Sequence, residues 1–309
     1  MKIVTTTLNP AFDMHYEMKE FILFKENYVD SILISAGGKG INISRALTNS
    51  GIKNTAYVIL GKENAENFVT KLNADGVIFK GVFCEGRIRE NITVHTPGNP
   101  ETRISLDSFS LTAEVLNQLL GELLQVVDHQ TILTFSGRIP KGLPVDTVID
   151  FLGELSIHRC LIAVDCNSFT MEELIRIRPW LIKPNEQEVK VLLGENVGSI
   201  GQAMDAAVRI HECGVENVIV SMGKAGAAAA AGDSKYIVEV PPVTPLSTIG
   251  AGDSMLAGFI GAYASGALLE ECLKNAAVFG TSACLTQGTN PPKACDISTI
   301  REQIKVVKI

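Results

Sequence analysis

The sequence predicts an α/β protein: a three-layer α/β/α sandwich around a mainly parallel sheet, with a small β-sheet lid. Three observations carry this. Short apolar runs of strand length alternate with longer runs of helical spacing along most of the chain, and continuously apolar strands are those of a parallel sheet covered on both faces. Two segments, about 14–35 and 88–106, instead alternate polar and apolar residues, as a sheet exposed on one face does. Small-residue turns also recur where the strands end, which is the edge at which open parallel sheets take ligands.

Taken in order, KIVTTTL (2–8) is a β-rich opening run, and GINISRALTNSG (40–51) sets Ile41, Ala46 and Leu47 at helical spacing before Gly51 closes it. TAYVILG (55–61) reads as a strand and ENAENFVTKLNADG (63–76) as a helix with a glycine stop. After the second lid segment, TAEVLNQLLGELLQVV (112–127) places Leu116, Leu119, Leu120, Leu123, Leu124 and Val127 on one face. TILTFSG (131–137), CLIAVD (160–165) and NVIVSMG (217–223) are buried-type strands, with helices between them at about 144–157, 185–193 and 199–212. The alanine run 226–232 fits a buried strand lying close to another element. The lid segments read as an antiparallel hairpin with companion strands around a Pro-Gly-Asn-Pro turn at 97–100. No repeat, low-complexity tract or linker divides the chain, so residues 1–309 are expected to form one domain.

Composition narrows the function classes. A net charge of −7 argues against a nucleic-acid surface, which needs a basic excess, but leaves room for a small anionic ligand held by a few local cations. The opening MKIVTTTLNPAFD lacks the apolar core of a signal peptide, and the uncharged stretch 254–269 is too short and too rich in Gly and Ala to span a bilayer. No membrane association and a cytoplasmic location are therefore expected. Seven cysteines without a C-x-x-C pair read as reduced core thiols, and the five dispersed histidines form no zinc-type cluster.

Six turns fall on the expected ligand edge: LNPAFD (8–13), AGGKGINIS (36–44), SGRIPKG (136–142), KPNEQE (183–188), SMGKAGA (221–227) and GAGD (250–253). Any one of them reads as a plain turn, but together they favour a phosphate-handling site. GAGD itself has two readings. Gly250 and Gly252 can make a tight turn with Asp253 capping the helix that follows. Alternatively, the free N–H groups at a glycine-rich helix start form an anion site, where Asp253 would take a proton from a substrate.

AGGKGINIS and STIGAGDSMLAGF resemble the two signature regions of the ribokinase-like sugar kinases, the phosphofructokinase B family, and the resemblance runs in order along essentially the whole chain. It implies a ribokinase-like fold, ATP-dependent phosphorylation of a sugar alcohol group with magnesium, and a homodimer formed through the lid. TLNPAFD, GRIRENITV and STIGAGDSM look most like family members that act on fructose 1-phosphate, with tagatose 6-phosphate as the next substrate. The resemblance makes Asp253 the general base and gives the amides of Gly250, Ala251 and Gly252 the phosphoryl group. Asp13 would hold sugar hydroxyls, with close contacts from Gly37, Gly38 and Asn42, and Lys39 would face substrate or transferring phosphate.

On the nucleotide side, Lys183, Asn185 and Glu188 resemble the family's asparagine–glutamate motif near magnesium and the ATP phosphates, Glu188 reaching the metal through water. The alternative is a helix N-cap by Asn185 with a surface acid one turn on. Ser221, Gly223, Lys224 and Gly226 fall in the nucleotide loop, and Asn275 near the adenine or ribose. The chain departs from the family pattern at Arg138, Thr93 and Lys224. Arg138 follows the strand-end pair Ser136–Gly137 at the substrate edge, and with Arg89 from the lid it is expected to clamp the phosphate already on the sugar. Two rival readings are a catalytically silent sugar-phosphate sensor and a dinucleotide oxidoreductase. The second lacks a G-x-G-x-x-G after the first strand.

Overall fold

The computed structural model describes residues 1–98 and 101–309. The chain opens with strands β1 (Lys2–Thr7), β2 (Ala11–Glu17) and β3 (Ser31–Gly37), then helix α1 (Lys39–Asn49), β4 (Thr55–Gly61), α2 (Ala65–Ala74) and β5 (Phe79–Cys84). Strands β6 (Arg89–His95) and β7 (Thr102–Ser105) follow, then α3 (Ala113–Leu124), β8 (Thr131–Ser136), α4 (Val145–Ser156) and β9 (Leu161–Asp165). Next come α5 (Met171–Ile177), β10 (Leu181–Ile182), α6 (Glu186–Leu193), α7 (Ile200–Glu212), β11 (Asn217–Ser221), β12 (Ala227–Ala231) and β13 (Ser234–Glu239). The chain closes with α8 (Ala251–Ala264), α9 (Leu269–Ala283), α10 (Ala294–Arg301) and β14 (Lys305–Lys308).

A ten-stranded sheet in the order β14-β13-β12-β11-β10-β9-β8-β1-β4-β5 forms the body. From β11 to β5 all neighbours are parallel, and β12, β13 and β14 extend one end antiparallel. Successive side chains leave a strand on opposite faces, so Leu133, Val218 and Val220 enter one apolar layer while Ile132 and Ile219 enter the other. The first layer is covered by α2 to α7, and the second by the C-terminal part of α1 with α8, α9 and α10. The chain leaves β1 for β4 on one side and returns to β8 on the other. That reversal opens a crevice beyond the C-terminal strand ends.

A four-stranded sheet, β3-β2-β6-β7, stands over this edge. Phe12 of β2 meets Phe68 of α2 edge-on at 5.2 Å, and Asn64 before α2 both donates to and accepts from the backbone of Ile88, at 2.9 Å each. These contacts fix the lid to the body. The expectation for the lid is corrected in two respects. The sheet begins at Ala11 and reaches Gly37 rather than covering 14–35, and its central pair, β2 and β6, is parallel. Alternation marks a one-sided strand but does not say which strand lies beside it. Of the Pro-Gly-Asn-Pro turn, 99 and 100 lie outside the described residues.

Among the described residues no helix is long and apolar enough to cross a membrane. Cys213 and Cys295 are exposed rather than in the core.

Candidate active site

Five parallel strands, β1, β8, β9, β10 and β11, end at one rim, and helices α1 and α8 start there. The expected GAGD turn opens α8: Gly250 is its N-cap in the left-handed region (φ 76°), a conformation glycine adopts at little cost. Ala251, Gly252 and Asp253 are the first helical residues, whose N–H groups have no carbonyl one turn back to bond. Ala251 N–H reaches only Thr248 O, at 3.5 Å. A Cβ on Gly252 would stand 3.1 Å from Lys183 Nζ, so a cation already faces this cradle of amides.

Asp253 is buried and its Oδ2 accepts a 2.8 Å hydrogen bond from Asn42 Nδ2. Burial pushes its carboxyl up to about 6 against the pull of Lys39, with the Asp165 charge adding to the rise. The acid is therefore no surface cap. It is a desolvated group whose carboxyl stands above the usual carboxylate range. Asn42 serves it directly: the amide expected on the sugar is half spent orienting Asp253, leaving Oδ1 buried without a partner.

Lys39 begins α1 and ties the rim together. Its ammonium donates to Asp165 Oδ1 at 2.9 Å and lies 3.6 Å from Glu188 Oε1. Burial alone would lower its pKa, but Asp165, Asp253 and Glu188 outweigh it and keep the ammonium charged. Burial likewise opposes the charge on Asp165, yet Lys183 and Lys39 hold its carboxyl below the usual range. Asp165 is the residue the sequence reading passed over. Its signal is a lone acid closing the apolar run CLIAVD on the same rim as the six turns.

Asn185 and Glu188 form a reciprocal capping box on α6. Asn185 Oδ1 accepts from the N–H groups of Gln187 and Glu188, and Glu188 Oε2 accepts from Asn185 N–H at 3.0 Å. The cap reading therefore holds for Asn185, while the other oxygen of Glu188 turns to Lys39. Together Asp165 and Glu188 present two hard carboxylates around one ammonium, and Asp165 Oδ2 is buried without a hydrogen-bond partner. This donor set fits magnesium, which takes one or two carboxylates plus substrate phosphates and keeps much of its water. No cluster of three or more His, Cys, Asp or Glu suited to a metal occurs among the described residues.

The lid supplies the other wall. Asp13, expected in a loop after β1, lies mid-strand in β2, where Asn91 Nδ2 of β6 donates to its Oδ1 at 3.1 Å. A Cβ on Gly37 would fall 2.1 Å from Asp13 Oδ2, so only glycine fits beside that carboxylate. Gly38 is the N-cap of α1. Arg89 is half-buried, its Nε without a hydrogen-bond partner. Burial lowers its pKa and the nearby Arg138 adds to that, so the two guanidinium groups lie in each other's field. Arg138 is exposed at the end of β8, after buried Ser136, whose Oγ has no partner, and Gly137, whose N–H donates to Asp165 O at 2.9 Å.

On the far side of the rim, Ser221 Oγ reaches Pro184 O at 3.5 Å, and a bridge between Ser221 and Asn185 joins the nucleotide loop to the KPNEQE turn. Gly223, Lys224 and Ala225 form an exposed turn of 3-10 helix, closed by Gly226. Asn275 is not brought to this edge as a free amide. Its side chain donates to Glu271 and accepts from Arg301 of α10 at 3.0 Å.

The chain matches the family described as pfkB family carbohydrate kinase over residues 14–294. It is 30% identical over 308 residues to a 1-phosphofructokinase of Borreliella burgdorferi, covering 99% of this chain and 98% of that protein. It is 26% identical over 310 residues to a 1-phosphofructokinase of Haemophilus influenzae, with the same coverage of 99% and 98%. The structure is similar to that of phosphofructokinase-2 from Escherichia coli in complex with substrates and products, with a TM-score of 0.91 and 26% identity over 98% of this chain and 99% of that one.

Proposed function

Because this chain belongs to the pfkB family of carbohydrate kinases and is an ATP-dependent sugar kinase, we propose that it phosphorylates fructose 1-phosphate to fructose 1,6-bisphosphate. The observation that carries the chemistry is Asp253, a buried carboxyl poised at about 6 in the first turn of α8. What favours an already phosphorylated sugar is Arg89 on the lid with Arg138 at the end of β8, since two guanidinium groups at the substrate edge suit phosphate oxygens. Burial, with the Arg138 charge adding to it, lowers the Arg89 pKa. Both relatives above carry the name 1-phosphofructokinase.

In this reading Asp13 holds sugar hydroxyls and Asn91 holds Asp13. Asp253, oriented by Asn42, accepts the proton of the attacking hydroxyl. The N–H groups of Ala251 and Gly252, with the turn at Gly250, face the phosphoryl group in transit, and Lys183 adds charge beside them. Phosphoryl transfer asks mainly for such positioning and neutralisation. Ser221 and the 223–226 turn receive the nucleotide. Asp165 and Glu188 would hold magnesium, which when bound screens the phosphate charges. The outer lid face, with Ile32 and Ile104 exposed, is the proposed homodimer surface.

ADP release measured over fructose 1-phosphate, fructose 6-phosphate, tagatose 6-phosphate, fructose and ribose tests the assignment. The highest kcat/KM is expected with fructose 1-phosphate. A preference for another sugar overturns the substrate, and no release with any of them favours a silent sensor.

A further inference from the structure

Lys39 has its charge already engaged. Its ammonium sits on Asp165 at 2.9 Å and Glu188 at 3.6 Å, while Lys183 Nζ stands 3.1 Å from where a Cβ on Gly252 of the amide cradle would lie. Asp165 is the deepest member, its side chain 2% exposed, with Oδ1 bonded and Oδ2 bare. A half-satisfied buried carboxylate costs stability. Two fixed carboxylates are also repulsive neighbours for a nucleotide polyphosphate. Both penalties fall if the carboxylates change partners when the nucleotide arrives with its cation. Lysine suits such an exchange, being a point charge on a flexible stem with three rotatable donors, and its side chain is 32% exposed, which leaves it room to move.

We propose that Lys39 is a transferable cation: it is parked on Asp165 and Glu188 in the empty enzyme and passes to the phosphoryl group when cation-loaded nucleotide engages those carboxylates. Asp165 is then a positioning residue that makes nucleotide binding depend on the cation. This rests on the kinase reading of the site. Without a cation, Lys39 stays paired and the carboxylates repel the nucleotide. With one, the same carboxylates become an attraction and the lysine charge is delivered where the phosphoryl group moves. Glu188, farther from the ammonium, contributes less than Asp165.

The test is equilibrium binding of a non-hydrolysable ATP analogue by calorimetry, with and without magnesium and with no sugar present. Asp165→Asn is expected to raise metal-free affinity about fivefold or more and to shrink the ratio of metal-loaded to metal-free affinity by at least as much. Lys39→Met should lower metal-free affinity by less than it lowers metal-loaded affinity. In the double variant the two changes should fail to multiply, because they act through one contact. An unchanged ratio in Asp165→Asn, or strictly multiplicative effects, overturns the exchange. Should Asp165→Asn not fold, Glu188→Gln at the half-buried partner carries the same test, and an unchanged ratio there overturns it equally. Failure of the kinase reading shows separately, as wild-type protein that releases no ADP with any sugar phosphate.

Discussion

On the sheet side of the cleft, Asp165, Lys183 and Asp253 are 4%, 5% and 6% exposed, and each answers to an opposite charge within the site. They stand on strand ends and a helix start, so their positions follow from the backbone of the body. On the lid side, Arg89 and Asn91 are half-buried, Arg89 Nε is unpartnered, and Ile32, Leu33 and Ile104 are 54%, 39% and 46% exposed. The sheet-side charges answer one another without a substrate, whereas the guanidinium of Arg89 on the lid keeps an unpartnered Nε. The difference fits the proposed division of labour: the charges proposed for the chemistry are buried and neutralise one another, while the groups proposed to meet the sugar sit on a thin sheet with an unpartnered Arg89 Nε and exposed apolar residues.

The largest expected effect strikes the sheet-side wall. Asp253→Asn should keep the fold and ATP binding while turnover falls roughly 10²–10⁴-fold, the usual contribution of a positioned base. The base works ionised, and burial holds its carboxyl at about 6. Wild-type kcat should therefore fall as pH drops below about 6. Near wild-type turnover in the folded variant would remove Asp253 from the mechanism.

The body was legible because each of its elements declares itself locally. TAYVILG coincides with β4, and 144–157 and 199–212 hold α4 and α7 within a residue or two. The sheet wall was half legible. GAGD and AGGKG stand out as small-residue turns, but the ion pair of Lys39 and Asp165 joins residues 126 apart in sequence, which no local spacing reveals. The lid was the least legible. Its strands alternate clearly, yet β2 finds a parallel partner 78 residues away, and Asp13 reads as a loop residue until that pairing puts it mid-strand. The side chain of Asn275 turns to α10, an orientation that helical spacing alone does not fix.

On the lid-side wall the effects should be smaller and selective. Arg138→Ser removes one of two guanidinium groups from the substrate edge. It should raise KM for the sugar phosphate about tenfold, corresponding to roughly 1.4 kcal/mol of binding, with KM for ATP nearly unmoved. A rise in the ATP constant alone would place Arg138 with the nucleotide.

The outer lid face gives a weaker handle. Ile32→Asp sets a charge in the exposed apolar outer lid face that Ile104 shares and should shift the oligomer toward monomer by light scattering. Because the sheet-side wall needs no partner, kcat should change only about two- to threefold. A wild-type protein that is monomeric at assay concentration removes the proposed interface.

The last effect separates the walls by the sign of their pH dependence. His15 of β2 is 3% exposed and stacks on His95 of β6 at 5.2 Å, with Nδ1 2.9 Å from His95 Nε2. Glu101 and Arg103 stand near it, and Gly288 of the body lies close enough that a Cβ there would be 2.6 Å from His15 Nε2. Burial, then His95, lowers the His15 pKa from 6.5 to about 4, so the folded lid holds a neutral ring. Between those values the unfolded chain binds a proton that the folded chain refuses. His15 therefore contributes stability that is fully present above pH 6.5 and is lost as pH falls toward 4, by at most about 3 kcal/mol. Asp253 runs the other way: its raised carboxyl takes up a proton in the folded state first, so its burial penalty is relieved as pH falls below about 6. Whole-protein melting mixes the two, and a difference isolates the lid. The stability of wild type minus that of His15→Gln, followed by thermal melting from pH 7.5 to 4.5, should decline steadily below pH 6.5. Parallel curves would mean that the histidine pair is no more than packing.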